Sequence, residues 1–515
     1  MNPIVETASG KVRGALIDGV AAFRGVPYGA STAGAARFMP PRPPASWAGV
    51  RDALDYAGQA PQSRIGPAPR AEMVDFSGPP DASPETEDCL TLNVWTPTGE
   101  NAARRPVMVW LHGGAFSFGS ANSLRLQGMR LCRRGDVVLV TVNQRLNIFG
   151  HLDLSAIGGA EYAASGNAGT LDMIAALQWV RDNIAGFGGD PGCVTIFGES
   201  GGGGKVSTLL AMPSARGLFH RAIVQSGAAV RLRTRDRAAT LTEAVLGELG
   251  LTRASLAELH AVPMRRLLAA IGPAQQAIGP SPWPLLDRYP FGPVVDGTLL
   301  PRQPFHPDAT PVSADIPLII GDCSHEASLF LAHDDTVWHQ TLTEPELQTR
   351  VAAVAGAQAD RVVALYRRLM PDASPAEHLI ATLTDSNFRI RSLLMAERRA
   401  RQGGAPVWMY SFAWQTPLFD GRLGAPHAID VPFTFDTLDF TNATDRSAGA
   451  HALAARMSGA WAAFARNGVP EHASLPAWPA YTVGERRTMV LDVDCHVTHD
   501  PGAETRALWQ EIVGS

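Results

Sequence analysis

The chain contains no apolar run as long as the roughly 20 residues that a membrane-spanning helix needs, and it has no excess of positive charge. Its formal net charge is −5, from 44 basic and 49 acidic residues. A nucleic-acid-binding surface requires a basic patch, and attachment to an anionic membrane requires a polybasic segment. We therefore expect neither a nucleic-acid partner nor a membrane partner.

Cysteine is also scarce. The five cysteines are odd in number, widely spaced and without a CxxC pair: Cys89, Cys132, Cys193, Cys323 and Cys495. This pattern is typical of reduced thiols rather than of a disulfide framework. The first residues, MNPIVETASGKVRG, lack the basic region and the following apolar region of a secretory signal. We expect a full-length, unexported, cytoplasmic protein.

The overall composition is that of a folded protein. Hydrophobic residues make up 45% of the 515 residues and charged residues 18%, unlike the highly charged composition of a disordered chain. The length allows one large domain or about three small ones. Because no internal repeat and no linker divides the chain, we expect a single domain over residues 1–515.

Short apolar runs alternate with helical patterns along the chain. The segment 171–184, LDMIAALQWVRDNI, has apolar residues at helical spacing. Strands that alternate with helices are typical of an α/β fold with a mostly parallel sheet. The runs that predict buried strands are VMVWL (107–111), VVLVTV (137–142), VTIFG (194–198), AIVQSG (222–227) and PLIIGD (317–322).

Two long segments, 61–84 and 272–297, interrupt this alternation. The first is rich in Pro, Ser, Gly and Ala, and the second contains six prolines. Loops of this length on a rigid sheet often form the wall of a binding site. An irregular surface loop without a role in binding is the alternative.

The strongest local motif is GESGG at 198–202, which fits G-x-S-x-G and lies between an apolar strand and a helical run. A serine on such a sharp turn has strained backbone angles, so the residues two positions away must be small. The motif therefore predicts that Ser200 is a nucleophile. A phosphate-binding loop is disfavoured, because Val206 follows Lys205 where that loop requires Ser or Thr.

A second motif, HGGAF at 112–116, directly follows a predicted strand. Backbone N–H groups of small residues can approach a substrate closely and stabilise the negative oxygen of a tetrahedral intermediate. Loss of one such donor costs about 3–4 kcal/mol. We expect Gly114, Ala115 and Gly201 to form this oxyanion hole.

A serine nucleophile needs a histidine base and a carboxylate that orients it, in the chain order serine, acid, histidine. Asp322 and Glu326 both lie at the end of the strand 317–322, and the residues alone leave both open as the acid. His427 is the best candidate base, because it lies in the glycine- and proline-bounded segment GAPHAIDVPF.

Motifs over nearly the whole chain resemble the type-B carboxylesterases, which are related to the cholinesterases. Besides the two motifs above, the matching segments are FRGVPYG (23–29), RFMPPRPPASWAGV (37–50), EDCLTLNVW (87–95), VNQRLNIFG (142–150), GNAGTLDMIAALQWVRDNIAGFGGDP (166–191), IVQSG (223–227) and PVVDG (293–297). The resemblance suggests a bacterial-type intracellular member. It implies Ser200 as nucleophile, Glu326 as acid and His427 as base.

The resemblance also implies the α/β-hydrolase fold. In this fold a large, mostly parallel central sheet is flanked by helices, with long loop or helical excursions over the active site. It further implies a buried ion pair between Arg145 and Asp172. The disulfide of exported relatives is not expected, because Cys89 has no upstream cysteine. Segment 61–87 lacks the tryptophan with which cholinesterases bind a quaternary ammonium, which disfavours choline esters.

The activity implied by the resemblance is serine-dependent hydrolysis of small to medium uncharged alkyl or aryl esters through an acyl-enzyme. We expect no metal, no cofactor, and a monomer or homodimer. Alternatives are an amidase, carbamate or lactone hydrolase with the same triad, or a catalytically silent cholinesterase-like binding protein. The candidate substrate-pocket residues are Glu199, Trp283, Tyr289, Phe291 and Phe330.

Overall fold

Buried apolar strands form the centre of the molecule. The computed structural model describes residues 2–62, 70–73, 76, 78, 81–98, 104–278 and 289–514. The strands are β1 (Ile4–Thr7), β2 (Gly10–Arg13), β3 (Ala15–Ile17), β4 (Val20–Pro27), β5 (Val50–Asp52), β6 (Thr91–Pro97), β7 (Arg105–Leu111), β8 (Val138–Val142), β9 (Gly189–Glu199), β10 (Arg221–Gln225), β11 (Arg233–Thr234), β12 (Val294–Val295), β13 (Leu318–Cys323), β14 (Val407–Phe412), β15 (Arg487–Leu491) and β16 (His496–His499).

The central sheet has eleven strands in the described residues, in the spatial order β16-β15-β14-β13-β10-β9-β7-β8-β6-β4-β3. Strands β8, β7, β9, β10, β13, β14 and β15 pair in parallel, whereas the strands at both edges are antiparallel. All five strands predicted from apolar runs belong to the parallel part. The predicted α/β fold with a mostly parallel sheet is therefore confirmed.

Helices cover both faces of this sheet. They are α1 (Met129–Gly135), α2 (Asn147–His151), α3 (Ser155–Gly158), α4 (Ala168–Asn183), α5 (Gly201–Leu209), α6 (Arg235–Leu249), α7 (Met264–Ala269), α8 (Ile271–Ala277), α9 (Glu326–Leu331), α10 (Asp335–Trp338), α11 (Glu344–Ala355), α12 (Ala359–Leu369), α13 (Pro375–Thr384), α14 (Ile390–Gln402), α15 (Val431–Phe435), α16 (Ala448–Asn467) and α17 (Ala503–Val513). Within the described ranges, no helix combines the length and the apolar character needed to cross a membrane.

The core lies on both sides of the sheet because side chains alternate along each strand. In β7, Val109 and Leu111 belong to the apolar cluster that contains the buried face of α4. Met108 and Trp110 of the same strand belong to the cluster on the other side, together with residues of α16. A strand buried on both faces has no polar positions, which explains the unbroken apolar runs in the sequence.

The parallel strands bring the predicted functional residues to one edge of the sheet. The carboxyl ends of the neighbouring parallel strands β7, β9, β10 and β13 lie at one edge of the sheet, and ligands of open α/β sheets bind at that edge. The HGGAF segment follows β7, Ser200 follows β9 and Glu326 lies just after β13. His427 lies between β14 and α15.

A buried ion pair connects the segment after β8 to α4. Arg145 donates from Nη2 to Oδ1 of Asp172 at 2.7 Å and from Nε to Oδ2 at 2.8 Å. The Arg145 backbone N–H also donates to Oδ2, at 3.1 Å. Both side chains are buried. The ion pair implied by the family resemblance is therefore present.

We expect Asp172→Ala to lower the free energy of unfolding by about 3–5 kcal/mol, because it leaves a buried guanidinium without its counter-charge. Urea denaturation followed by circular dichroism measures this loss. The matched control is Asp182→Ala in the same helix, where the pair with Arg181 is exposed and its loss costs less than about 1 kcal/mol. Equal stability losses in the two variants would contradict the structural role of the buried pair.

Candidate active site

Ser200 lies on a strained turn between β9 and α5. Its φ of 56° and ψ of −125° fall in a region that residues with a side chain rarely occupy. The Ser200 N–H donates to the Gln225 carbonyl at 2.9 Å, and the Ser200 carbonyl accepts from the Gly204 N–H at 3.0 Å. A Cβ atom at Gly202 would lie only 2.0 Å from the Leu111 carbonyl oxygen. Position 202 therefore requires glycine, because a side chain there would collide with the end of β7.

The HGGAF segment turns sharply beside Ser200. Gly114, Ala115 and Phe116 all have positive φ, at 96°, 51° and 60°. A Cβ atom at Gly201 would lie 2.3 Å from the Ala115 backbone nitrogen. The backbones of Ala115 and Gly201, two of the three predicted oxyanion donors, are thus in direct contact next to Ser200.

Lys205 supports this segment from within the core. It is fully buried and donates from Nζ to the His112 carbonyl at 2.8 Å. With its amide oriented to satisfy its hydrogen bonds, Gln144 accepts from the same Nζ at 2.7 Å. Burial lowers the pKa of Lys205 well below its usual value. Sequence reasoning did not assign Lys205 to the site, although it is one of only two lysines in the chain, with Lys11.

Glu326, rather than Asp322, contacts His427. Glu326 begins α9, and its Oε1 accepts from the Cys323 N–H at 2.8 Å while its Oε2 lies 2.5 Å from His427 Nδ1. Glu326 and His427 are both buried. The Asp322 carboxylate instead lies 3.6 Å from Nε of Arg389. Of the two acids that the sequence left open, the fold brings Glu326 to the imidazole.

The second ring nitrogen of His427 faces Glu199. Nε2 lies 3.1 Å from Glu199 Oε1, and within the described part of the chain no hydrogen bond joins the imidazole to the Ser200 hydroxyl. Glu199, one of the predicted pocket residues, immediately precedes Ser200 and is buried. The imidazole therefore lies between two carboxyl groups.

This arrangement shifts the pKa of both Glu199 and His427. Burial raises the pKa of Glu199 to about 8, although the imidazole opposes the shift. Burial by itself would lower the pKa of His427, but Glu199 and Glu326 raise it to about 9. The two carboxyl groups therefore favour the protonated form of His427.

A cavity of about 330 Å³ adjoins Ser200. Ala115 and Gly201 line it at the serine end, and Phe388, from the π-helical turn Asp385–Arg389, lines it as well. The other lining residues are Phe116, Gly204, Ser226, Gly227, Ala228, Ala229, Val230, Arg231, Leu232, Arg233, Thr234, Arg237, His306, Asn387, Arg391, Leu394, Arg398, Val513 and Gly514.

The predicted aromatic pocket residues have different positions. The Phe330 ring lies 4.9 Å from the His427 ring and stacks at 5.7 Å on Phe388, so Phe330 borders the site. Phe291 is fully buried in an apolar cluster with Phe149 and packs in the core rather than lining the cavity. The Tyr289 ring lies 5.4 Å from Phe118 and does not line the cavity either. Trp283 lies outside the described residues.

The chemistry available at this site is that of side chains and backbone N–H groups. Among the described residues, no group of three or more His, Cys, Asp or Glu side chains could hold a metal ion. The site combines a serine on a strained turn, an imidazole bonded to a buried carboxylate, and the backbone nitrogen of Ala115 packed against Gly201. Nucleophilic attack on a carbonyl carbon requires these three components.

Comparisons with known proteins agree with this geometry. The model of the carboxylesterase family matches residues 1–509. The para-nitrobenzyl esterase of Bacillus subtilis is 36% identical, over 98% of this chain and 97% of its own length. The phenmedipham hydrolase of Pseudarthrobacter oxydans is 35% identical, over 98% of this chain and 96% of its own.

A similar structure is the crystal structure of a carboxylesterase from Geobacillus stearothermophilus. It has a TM-score of 0.85 and 37% identity, and the match covers 98% of this chain and 100% of that one. Both the resemblance to type-B carboxylesterases and the predicted α/β-hydrolase fold are confirmed. This chain belongs to the carboxylesterase family and is a carboxylic-ester hydrolase.

Proposed function

We propose that Ser200, His427 and Glu326 form the catalytic triad of this hydrolase, and that its substrates include small to medium alkyl and aryl esters. The observation that carries the proposal is the position of Ser200. Its strained turn contacts the Ala115 backbone and opens into the cavity, and the imidazole held by Glu326 lies beside the preceding residue.

In the acylation step, the neutral imidazole of His427 carries its proton on Nδ1. This N–H donates a hydrogen bond to Glu326. Nε2 then takes the proton of the Ser200 hydroxyl as the oxygen attacks the ester carbonyl. The N–H groups of Gly114, Ala115 and Gly201 stabilise the negative oxygen of the tetrahedral intermediate. His427 returns the proton to the leaving alcohol, and an acyl-enzyme remains on Ser200.

In the deacylation step, the same imidazole removes a proton from a water molecule, which attacks the acyl-enzyme. The carboxylic acid leaves and Ser200 recovers its proton from His427. Glu326 stays ionised throughout and fixes the orientation of the ring. Glu199 acts on the same Nε2, since its negative charge favours the protonated imidazole and so sets the pH at which the base is available.

The size and lining of the cavity support the proposed substrate class. Its volume of about 330 Å³ is at the small end of ligand pockets, which span roughly 300–1,000 Å³. Next to Ser200 the lining is apolar, with Phe116, Val230 and Phe388 among the contributors. Apolar walls of this kind favour alkyl and aryl groups, because burial of an unpaired charge there is costly.

We further propose a single-domain, cytoplasmic protein that acts as a monomer or homodimer without a nucleic-acid partner. The cytoplasmic location is supported by the five cysteines, which are all free. Burial raises the pKa of Cys132 to about 12, so this thiol is unreactive.

The absence of a nucleic-acid partner is supported by the net charge of −5. The single domain is supported by the one sheet to which β7, β9, β13 and β14 all belong.

A fluorophosphonate probe should label Ser200, and Ser200→Ala should lose both the label and at least about 10³-fold in kcat on p-nitrophenyl butyrate. Peptide mass mapping locates the label. The matched control is Ser226→Ala, because Ser226 lines the same cavity and its buried hydroxyl has no hydrogen-bond partner in the described structure. Labelling that persists in Ser200→Ala but disappears in Ser226→Ala would assign the nucleophile to Ser226.

Glu326→Gln should lower kcat by about 10³-fold or more, because an amide cannot stabilise the imidazolium that forms on His427. Asp322→Asn should lower kcat less than about tenfold, since Asp322 contacts Arg389 and not the imidazole. Steady-state kinetics on one ester compares the two variants, with circular dichroism to verify folding. The reverse order of the two losses would assign the orienting acid to Asp322.

The pH dependence of kcat/KM should change when Glu199 loses its charge. Protonated His427 cannot accept the serine proton, so kcat/KM falls as the pH decreases through the raised pKa of His427. Glu199→Gln removes one of the two carboxylates that raise this pKa, and the acidic limb should move to lower pH by about one unit or more. Glu243→Gln, at an exposed ion pair with Arg253, is the control. A limb that stays in place or moves to higher pH would show that Glu199 does not control the base.

A further inference from the structure

Besides Ser200 and its apolar neighbours, the cavity lining contains many basic side chains. Its basic residues are five arginines, Arg231, Arg233, Arg237, Arg391 and Arg398, and one histidine, His306, whose pKa is lowered by burial and by the neighbouring arginines. Among the described lining residues there is no Asp or Glu. Such an accumulation of one charge is unusual in a protein whose net charge is −5.

The basic side chains come from separate parts of the chain. Arg391, Leu394 and Arg398 are spaced three and seven residues apart on α14, which places them on one face of that helix. Arg237 lies in the first turn of α6, four residues after Arg233 of β11. The cavity thus has arginines from two separate segments of the chain, α14 and the β11–α6 segment.

Two of these arginines, Arg231 and Arg398, donate to uncharged groups. Arg398 donates from Nη1 to the Phe305 carbonyl, and Arg231 donates from Nη2 to the His306 ring at 2.9 Å. Within the described residues, Arg231, Arg237 and Arg398 form no ion pair with a carboxylate. Among the described residues, the charge of these three arginines is therefore not neutralised by a paired carboxylate.

Asp308 and Glu397, the two carboxylates that act on Arg398, are paired with other arginines. Asp308 pairs with Arg302. Glu397 pairs with Arg401 at 3.0 Å and with Arg486 at 3.1 Å. The positive charge of Arg231, together with burial, lowers the pKa of His306 and that of Arg398.

We propose that the arginines of the cavity lining bind a carboxylate that the substrate carries at a distance from its ester group. The inference deepens the proposed function and rests on it. With the ester carbonyl at Ser200, the connecting chain would cross the apolar surface of Val230, Leu232 and Leu394. A guanidinium binds a carboxylate with two parallel hydrogen bonds, so the site matches this anion in shape as well as in charge.

The substrate class that follows is a half-ester of a dicarboxylic acid, or an ester of a hydroxy acid whose carboxylate is free. Hydrolysis adds one water across the ester bond and releases an alcohol and a carboxylic acid, and the remote carboxylate is unchanged. This class adds to the uncharged esters, which need only the apolar part of the cavity. Esters with a quaternary ammonium are disfavoured, because they would place a cation among arginines.

Two pairs of esters test the proposal, each differing only by a terminal methyl or carboxylate. Monoethyl adipate against ethyl hexanoate places the charge on the acyl side, and 6-acetoxyhexanoate against hexyl acetate places it on the alcohol side. A pH-stat gives kcat/KM for each ester. We expect the charged member to be hydrolysed more efficiently in one of the two pairs at low salt, which identifies the side bound by the arginines. The ratio should fall as NaCl is added.

Arg231→Gln and Arg237→Gln should each lower this charged-to-neutral ratio about tenfold, chiefly through KM, because each removes one charge-assisted contact. The matched control is Arg235→Gln, an exposed residue of α6 that does not line the cavity, and it should leave the ratio unchanged. A ratio below one in both pairs, or a ratio that the two cavity variants do not change, overturns the carboxylate site. Failure to hydrolyse any of the four esters would instead contradict the proposed esterase function.

Discussion

The close contact between two backbone segments is the constraint on which this active site depends. The turn that carries Ser200 packs against the end of β7 and against Ala115 so closely that a Cβ atom at Gly201 or Gly202 would lie 2.3 Å or 2.0 Å from a backbone atom. This contact fixes Ser200, the proposed nucleophile, relative to Ala115 and Gly201, two of the proposed oxyanion donors, without a side chain between them. Buried Lys205 stabilises the arrangement, because its Nζ donates a hydrogen bond to the His112 carbonyl at the start of the HGGAF segment.

The fold and the core of the site could be predicted because their signals are local. A central parallel strand is buried on both faces and is therefore an unbroken apolar run, so 107–111 and 194–198 were recognisable as strands. The start of β9 was less visible, because Gly189–Cys193 is not apolar although Gly189 pairs with Arg105 of β7. The two glycine motifs were recognisable because each encodes a steric requirement of its own turn.

The rest of the site depends on contacts between distant segments, which a single sequence does not record. Asp322 and Glu326 are four residues apart, and only the packing of α9 decides which one reaches His427. Asp322 is still part of β13, and its side chain faces Arg389, whereas Glu326 reaches back to the Cys323 N–H. The pairing of Glu199 with His427 likewise joins two residues that are far apart in the sequence. The arginines of the cavity belong to segments that show no shared pattern before they fold together.

The backbone conformation of Ser200 has a consequence for the evolution of the protein. At a φ of 56° and a ψ of −125°, a serine carries a conformational cost of roughly 1–3 kcal/mol that glycine would avoid. Ser200, the proposed nucleophile, is therefore a residue that the fold tolerates rather than prefers. Selection for thermal stability alone would favour its replacement by glycine, and only selection for turnover opposes that change. Residue 200 thus represents a local trade-off between persistence of the folded state and catalysis.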